Sequence, residues 1–173
     1  MLQNYNTYRI VSLFFDSPTK HFQLREISRM IRIGLPSVKA HVEKLETAGL
    51  IRKTKGNIYD SFVATRNDRF KLYKRNDVMI RIHESGLLEY LVDELSPDVI
   101  VLFGSASKGD DIEHSDVDIF VLAEDKKLKL DKFEKILKRK INILFENKIK
   151  NIPKELMSNI INGVVLYGYL EVF

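Results

Sequence analysis

Tyr8, Val11 and Phe15 recur at helical spacing and predict a first helix near Asn4–Phe15, which Asp16-Ser17-Pro18 breaks. In the next periodic segment, Leu24–Ile31, residues Leu24, Ile27 and Ile31 share one face. Ile33-Gly34-Leu35 makes a short turn. Pro36 then sits in the first turn of a third helix, where a missing N–H leaves no bond unmade. Val38, Val42 and Leu45 form that helix's buried stripe, and Gly49 its C-terminal cap. Ile51–Lys53 and Ile58–Val63 flank Thr54-Lys55-Gly56-Asn57 and predict a β-hairpin.

Residues 66–96 predict connecting helices. The polar, basic stretch Asn67–Arg75 precedes a Leu87, Leu88, Leu91, Leu95 stripe that Ser96-Pro97 ends. Val99–Phe103 is apolar at every position, as a strand covered on both faces is. Val117, Ile119, Val121 and Ala123 mark a second strand. Lys127–Lys140 predicts a helix with Leu130, Phe133, Ile136 and Leu137 inward. Its Lys129, Lys132, Lys135 and Lys138 form a solvated face with helical ion pairs such as Asp131–Lys135. Ile141–Phe145 predicts a third strand and Pro153–Ile161 a last helix. The chain shows no repeats and no low-complexity segment. The pattern divides it at 1–66, a helical linker 67–83, and 84–173.

Composition narrows the classes. With 173 residues, 45% of them hydrophobic and 30% charged, the chain is globular and long enough for one domain or two small ones. It contains no cysteine, which excludes a disulfide scaffold, a thiolate metal site and a cysteine nucleophile. No apolar run approaches the ~18 residues of a membrane span, and the N-terminus lacks a signal-peptide layout, so a cytoplasmic protein is expected. Charge is unevenly placed. Residues 1–75 hold 15 Lys and Arg against 6 Asp and Glu, and residues 76–173 hold 13 against 18. A basic front and an acidic back imply two modules with different partners; the basic surface either faces phosphates or is simply solvated.

The order of helices and basic hairpin over residues 5–65, with the run Leu45-Glu46-Thr47-Ala48-Gly49-Leu50-Ile51 into the hairpin, resembles a winged helix-turn-helix. The resemblance implies that the third helix enters the major groove of duplex DNA and that the wing follows the backbone. Ser37, Lys39, His41, Glu43 and Lys44 are expected on the exposed face of that helix, and Arg52, Lys53, Lys55 and Asn57 on the wing. Lys39, Lys44, Arg52, Lys53 and Lys55 suit phosphates; Ser37, Lys39 and His41 suit base edges. Winged helices also dock proteins, and Glu43 and Glu46 weaken a purely electrostatic case.

The chemistry lies in Phe103-Gly104-Ser105-Ala106-Ser107-Lys108-Gly109-Asp110-Asp111-Ile112-Glu113-His114-Ser115-Asp116-Val117-Asp118. A Gly-Ser pair leaves a buried strand, where glycine brings backbone amides close to an anion and serine adds a hydroxyl. Ten residues later comes Asp-x-Asp, whose i and i+2 carboxylates share a strand face and repel each other unless a cation lies between them. Hard oxygen donors of this kind suit Mg²⁺ shared with substrate phosphates.

This segment resembles the minimal branch of the DNA polymerase β-like nucleotidyltransferases over about residues 84–173. Lys108-Gly109 and Ser115 fill places common in that pattern, and Asn162–Gly168 resembles its tail. The fold class expected is α+β: a winged helix followed by a polymerase β-like domain with a small mixed sheet and flanking helices. The resemblance implies transfer of a nucleoside monophosphate from an NTP, AMP from ATP being usual, to an acceptor hydroxyl or similar group, with release of pyrophosphate. Gly104, Ser105, Lys108 and Ser115 would hold the nucleotide, and Asp116 and Asp118 would hold Mg²⁺ or Mn²⁺ and act catalytically. Partners compatible with it are the nucleotide, duplex DNA at the winged helix, a protein acceptor such as a HEPN-type toxin, and a second copy of the chain.

One position departs from the pattern. The third carboxylate of active members falls in a segment that here reads Lys140-Ile141-Asn142-Ile143, so Asn142 stands in its place. Asparagine cannot act as a base. Two functional readings follow: a nucleotidyltransferase with a target-selecting module, and a DNA-binding regulator whose second domain senses a nucleotide. His114 lies in the same loop as the Asp-x-Asp pair, and the four histidines show no metal-ligand spacing.

Overall fold

Phe14 and Phe22 meet edge-on at 5.0 Å, and Phe15 lies 5.2 Å from Phe70. These rings centre the core of the first of two compact units, which divide between Lys74 and Arg75. The computed structural model describes residues 5–171. The first unit contains α1 (Asn6–Asp16), α2 (Leu24–Ile31), α3 (Leu35–Thr47), β1 (Ile51–Thr54) and β2 (Ser61–Ala64). Asn4, the expected start of the first helix, lies outside the described residues. All three predicted apolar stripes point inward: Val11 and Phe15, Ile27 and Ile31, and Val38, Val42 and Leu45 are buried.

Gly49 ends α3 as its sequence position implied. Its φ of 72° turns the chain left-handed, Gly49 N–H donates to Glu46 O at 2.8 Å, and Leu50 N–H donates to Leu45 O at 3.0 Å. That pair of bonds satisfies carbonyls the helix end would leave open. β1 and β2 pair antiparallel from Ile51↔Ala64 to Thr54↔Ser61, and Phe22 joins them through two 2.8 Å backbone bonds to Phe62. The hairpin loop is Lys55–Asp60, two residues longer than expected. Pairing stops at Ser61, and a Lys53–Asp60 ion pair at 2.6 Å closes the loop in place of further ladder bonds.

The second unit holds most of α4 (Asp68–Glu84), followed by α5 (Leu87–Leu95), β3 (Val99–Phe103), β4 (Val117–Leu122), α6 (Asp131–Leu137), β5 (Ile141–Glu146), α7 (Lys154–Ile161) and β6 (Val164–Gly168). The strands form one mixed sheet in the order β5-β4-β3-β6. β3 runs antiparallel to β4 and β6, and β4 parallel to β5. Ile100, Leu102, Val117, Ile119 and Val121 pack with Val78, Leu87, Leu91 and Phe133. Val99, Val101, Phe103, Phe120 and Leu122 pack with Ile152 and Ile160. β3 is therefore covered on both faces, which explains its unbroken apolar run.

Four readings need correction here. The helix expected over Lys127–Lys140 spans only Asp131–Leu137. Tertiary bonds hold the preceding segment: Lys126 Nζ reaches Glu94 at 2.6 Å, and Lys129 N–H donates to the Tyr90 hydroxyl at 3.0 Å. Phe133 and Leu137 are buried, but Ile136 is 54% exposed because it lies about 100° around the helix from Leu137. Among the described residues no Asp131–Lys135 ion pair forms; Glu134 pairs instead with Lys140 at 2.8 Å. β6, not expected as a strand, completes the sheet beside β3.

Candidate functional site

β3 ends at Phe103, which lies opposite Asp118 in the antiparallel register. Gly104 follows with φ 72°, and a methyl group in place of its hydrogen would collide with Asp118 Oδ2. Glycine is required there on two counts, backbone conformation and the closeness of a carboxylate. The turn is tied down by the buried Ser107, whose hydroxyl donates to Gly104 O at 2.8 Å. Ser105 O accepts from Lys108 N–H at 3.1 Å and Asp110 N–H at 3.0 Å, and Gly109 reverses the chain at φ 73°. The Ser105 hydroxyl is half-buried and has no hydrogen-bond partner among the described residues, while Lys108 is exposed.

Asp116 sits one residue before β4 and is exposed; Asp118 is the second residue of that strand and half-buried. Ser115 is turned to its own loop, accepting from Ile112 N–H at 3.0 Å. On the other side of β4, the parallel register sets Asn142 of β5 against Asp118. The Asn142 amide donates to Asp118 Oδ1 at 3.1 Å. Asp118 thus lies between the Gly104 turn on the β3 side and Asn142 on the β5 side. Among the described residues no group of three or more His, Cys, Asp or Glu forms a metal cluster. The side chains here whose oxygens could hold a metal are the carboxylates of Asp116 and Asp118; Asn142 spends an N–H on Asp118. Two carboxylates suffice for a hard divalent ion that takes its other ligands from phosphate and water.

Sequence reasoning missed the partners that hold this site in place. Asp111, wholly buried, forms an ion pair with Arg139, whose side chain is nearly buried. Lys140 O accepts from Val117 N–H at 2.8 Å, fixing the start of β5 beside the Asp116–Asp118 segment. The Glu134 carboxylate is held below its ordinary pKa by the hydrogen bond from Lys140 and the Ile141 N–H, and Lys140 is held above its own by Glu134. Only the Ser107 hydroxyl, two residues after the Gly-Ser pair, left a local signal in the sequence. The Asp111–Arg139 pair spans 28 positions and left none.

In the first unit, Ser37, Lys39, Glu43 and Lys44 are exposed on α3 or partly so, and Arg52, Lys53, Lys55 and Asn57 are exposed on the hairpin. His41 departs from the expected exposed face. It lies near Val38, Val42 and Leu45 around the helix, is half-buried, and its Nδ1 bonds Thr7 Oγ1 of α1 at 2.7 Å. Lys53 carries a raised pKa and Asp60 a lowered one, each chiefly through their mutual hydrogen bond. Half the expected charge of that strand is therefore already countered.

No curated protein and no solved structure matches the chain. No helix of the described residues is long and apolar enough to cross a membrane. Residues 86–171 match the family model Polymerase beta, Nucleotidyltransferase, and the Gly104 turn packed on Asp118 lies within the matched stretch.

Proposed function

We propose that the second unit transfers a nucleoside monophosphate, AMP from ATP, to a hydroxyl of an acceptor molecule. The acceptor oxygen attacks the α-phosphorus, the α–β bridging P–O bond breaks, pyrophosphate leaves with the bonding electron pair, and the hydroxyl proton passes to water. The observation that carries this reading is the Asp118 carboxylate pressed against the Gly104 turn, with Asp116 two residues before it. The turn amides and the unpartnered Ser105 hydroxyl suit terminal phosphates, and Lys108 would offset their charge. Asp116 and Asp118 would hold Mg²⁺ or Mn²⁺, which supplies positive charge to the triphosphate and the leaving pyrophosphate. Asn142 orients Asp118 but takes no proton.

A second reading has its own observation. Because Asn142 engages Asp118 where a third carboxylate would act, the domain also fits a sensor that binds nucleotide without turning it over. For the first unit we propose a winged helix, on the order α1-α2-α3-β1-β2 and the Phe22–Phe62 bridge. Its α3 and wing then contact duplex DNA through Ser37, Lys39, Lys44, Arg52 and Lys55. A protein acceptor of the HEPN-toxin kind and self-association stay within the proposal.

The test is incubation of the full chain with α-labelled ATP, Mg²⁺ and cell lysate, beside an Asp116→Asn, Asp118→Asn variant. Label moving to a macromolecule with the native chain and not with the variant supports transfer. ATP bound but recovered unchanged supports the sensor, and no Mg²⁺-dependent ATP binding overturns both.

A further inference from the structure

Lys140 and Asp116 are neighbours where the parallel strands β4 and β5 begin. The register pairs Val117 with Ile141 and Asp118 with Asn142, and one step back along both strands lie Asp116 and Lys140. Val117 N–H donates to Lys140 O at 2.8 Å, so the ladder reaches that step. Neighbouring strands run about 4.8 Å apart, and residues i and i+2 of a strand share a face. Asn142 touches Asp118 with its side chain. Lys140 therefore stands to Asp116 as Asn142 stands to Asp118, with an ammonium group in place of an amide.

Lys140 takes a different partner. Its Nζ lies 2.8 Å from Glu134 Oε2 of α6. Glu134 is the fixed member of this pair: its side chain is 18% exposed, and its other oxygen accepts from Ile141 N–H at 3.1 Å. Lys140 is the free-moving member, with a side chain 77% exposed on a flexible four-carbon stem. An ion pair this open adds little to the stability of the fold, so its main consequence is where it puts the lysine. The raised pKa of Lys140 comes chiefly from Glu134, with smaller contributions from the charges of Asp131 and Asp116. Asp116 is exposed and has no hydrogen-bond partner among the described residues. It is the less firmly held of the two carboxylates, and an ammonium group and a divalent ion compete for it.

We propose that Glu134 is a positioning residue of the metal site: it holds Lys140 away from Asp116 and so keeps that carboxylate open to a divalent cation. The inference rests on the reading of Asp116 and Asp118 as metal-holding residues. Without the Glu134 charge, Lys140 swings to Asp116, occupies its oxygens and leaves an uncompensated positive charge beside the ion. Asp131 is the other carboxylate whose charge reaches Lys140, and capture of the lysine there would leave Asp116 open.

The test uses the full chain, first free of metal and then titrated with Mn²⁺ alone. Glu134→Gln removes the charge but keeps an oxygen for Ile141 N–H, so the start of β5 stays bonded. Mn²⁺ affinity, read by electron paramagnetic resonance, should fall about five- to ten-fold, the scale of one unpaired charge several ångströms from a divalent ion in water. Adding Lys140→Met should restore it, which a merely structural role for Glu134 does not predict. A second readout needs no metal. The Lys140 ¹³Cε resonance should shift in the Glu134→Gln chain, and Asp116→Asn should reverse that shift; with Glu134 in place, Asp116→Asn should move the resonance far less. Unchanged Mn²⁺ affinity in Glu134→Gln, a loss that Lys140→Met does not rescue, or a Lys140 resonance blind to Asp116 in the Glu134→Gln chain overturns the proposal. A native chain that binds Mn²⁺ no better than the Asp116→Asn, Asp118→Asn variant is a separate result. It removes the metal reading itself, and the positioning role with it.

Discussion

Asn142 donates its side-chain amide to Asp118 Oδ1 at 3.1 Å across the parallel β4–β5 pair. The bond puts a neutral donor where a third carboxylate would crowd the site. Asn142→Asp exchanges that donor for a negative charge with little change of shape. Two carboxylates then face each other, so in the absence of divalent ions one of them must take up a proton more readily and the fold should lose stability. Added Mg²⁺ and ATP should raise Tm more in the variant than in the native chain, because the ligand now relieves the repulsion. If the introduced carboxylate also serves as a base, transfer should rise by roughly 10²–10⁴. Thermal unfolding with and without Mg²⁺, beside a label-transfer assay, checks both parts; an unchanged Mg²⁺ response would place Asn142 outside the site.

Gly104→Ala should be harmful out of proportion to its size. The new methyl group needs an unfavourable left-handed backbone and must push the Asp118 carboxylate aside. A cost of about 1–3 kcal/mol is expected from strain alone. ATP affinity should fall as well, since Asp118 and the turn amides move together. Denaturant unfolding and calorimetry read the two effects separately, and a variant as stable as the native chain would contradict the close packing.

Breaking the Asp111–Arg139 pair from either side should cost roughly 3–5 kcal/mol, because one buried charge is left uncompensated. Asp111→Leu with Arg139→Met removes both charges and should recover most of that stability. A double-mutant cycle on Tm or urea midpoints checks this. Additive losses would show that the two side chains do not act as a unit.

The hairpin pair gives a pH dependence of definite sign. Asp60 is depressed by Lys53, so what it contributes to hairpin order is present above the ordinary carboxylate pKa and is lost as pH falls through its lowered value. Lys53 is raised, so its share is present below the ordinary lysine pKa of 10.5 and is lost as pH rises through the raised value. The methyl proton shifts of Ile58, followed by NMR across the pH range, should therefore show loosening at both extremes and a plateau between.

Under the proposed DNA contact, the same pair ranks the hairpin lysines. Lys55→Ala should reduce the salt slope of duplex binding by about 0.9 if it meets one phosphate, and Lys53→Ala by less, because Asp60 already counters Lys53. Asp60→Asn should release Lys53 and steepen the slope. Equal slopes in all three variants would move the first unit from DNA contact to protein docking.

The apolar spacing of this chain determined most of its elements. Ile27 with Ile31, Val38 with Val42 and Leu45, and the run Val99–Phe103 are local patterns, and burial of one face or two follows directly from them. Gly104-Ser105 and Asp116-x-Asp118 were equally legible, since a turn glycine and an i, i+2 carboxylate pair need only local geometry to be understood. Tertiary structure decided what depends on distant partners. Whether residues 127–130 join a helix rested on Glu94 and Tyr90, and whether His41 faces solvent rested on Thr7. The register that brings Asn142 to Asp118, and the burial that locks Arg139 onto Asp111, join segments 24 and 28 residues apart. No periodicity records such pairings, because they arise from packing in three dimensions rather than from the repeat of a helix or a strand.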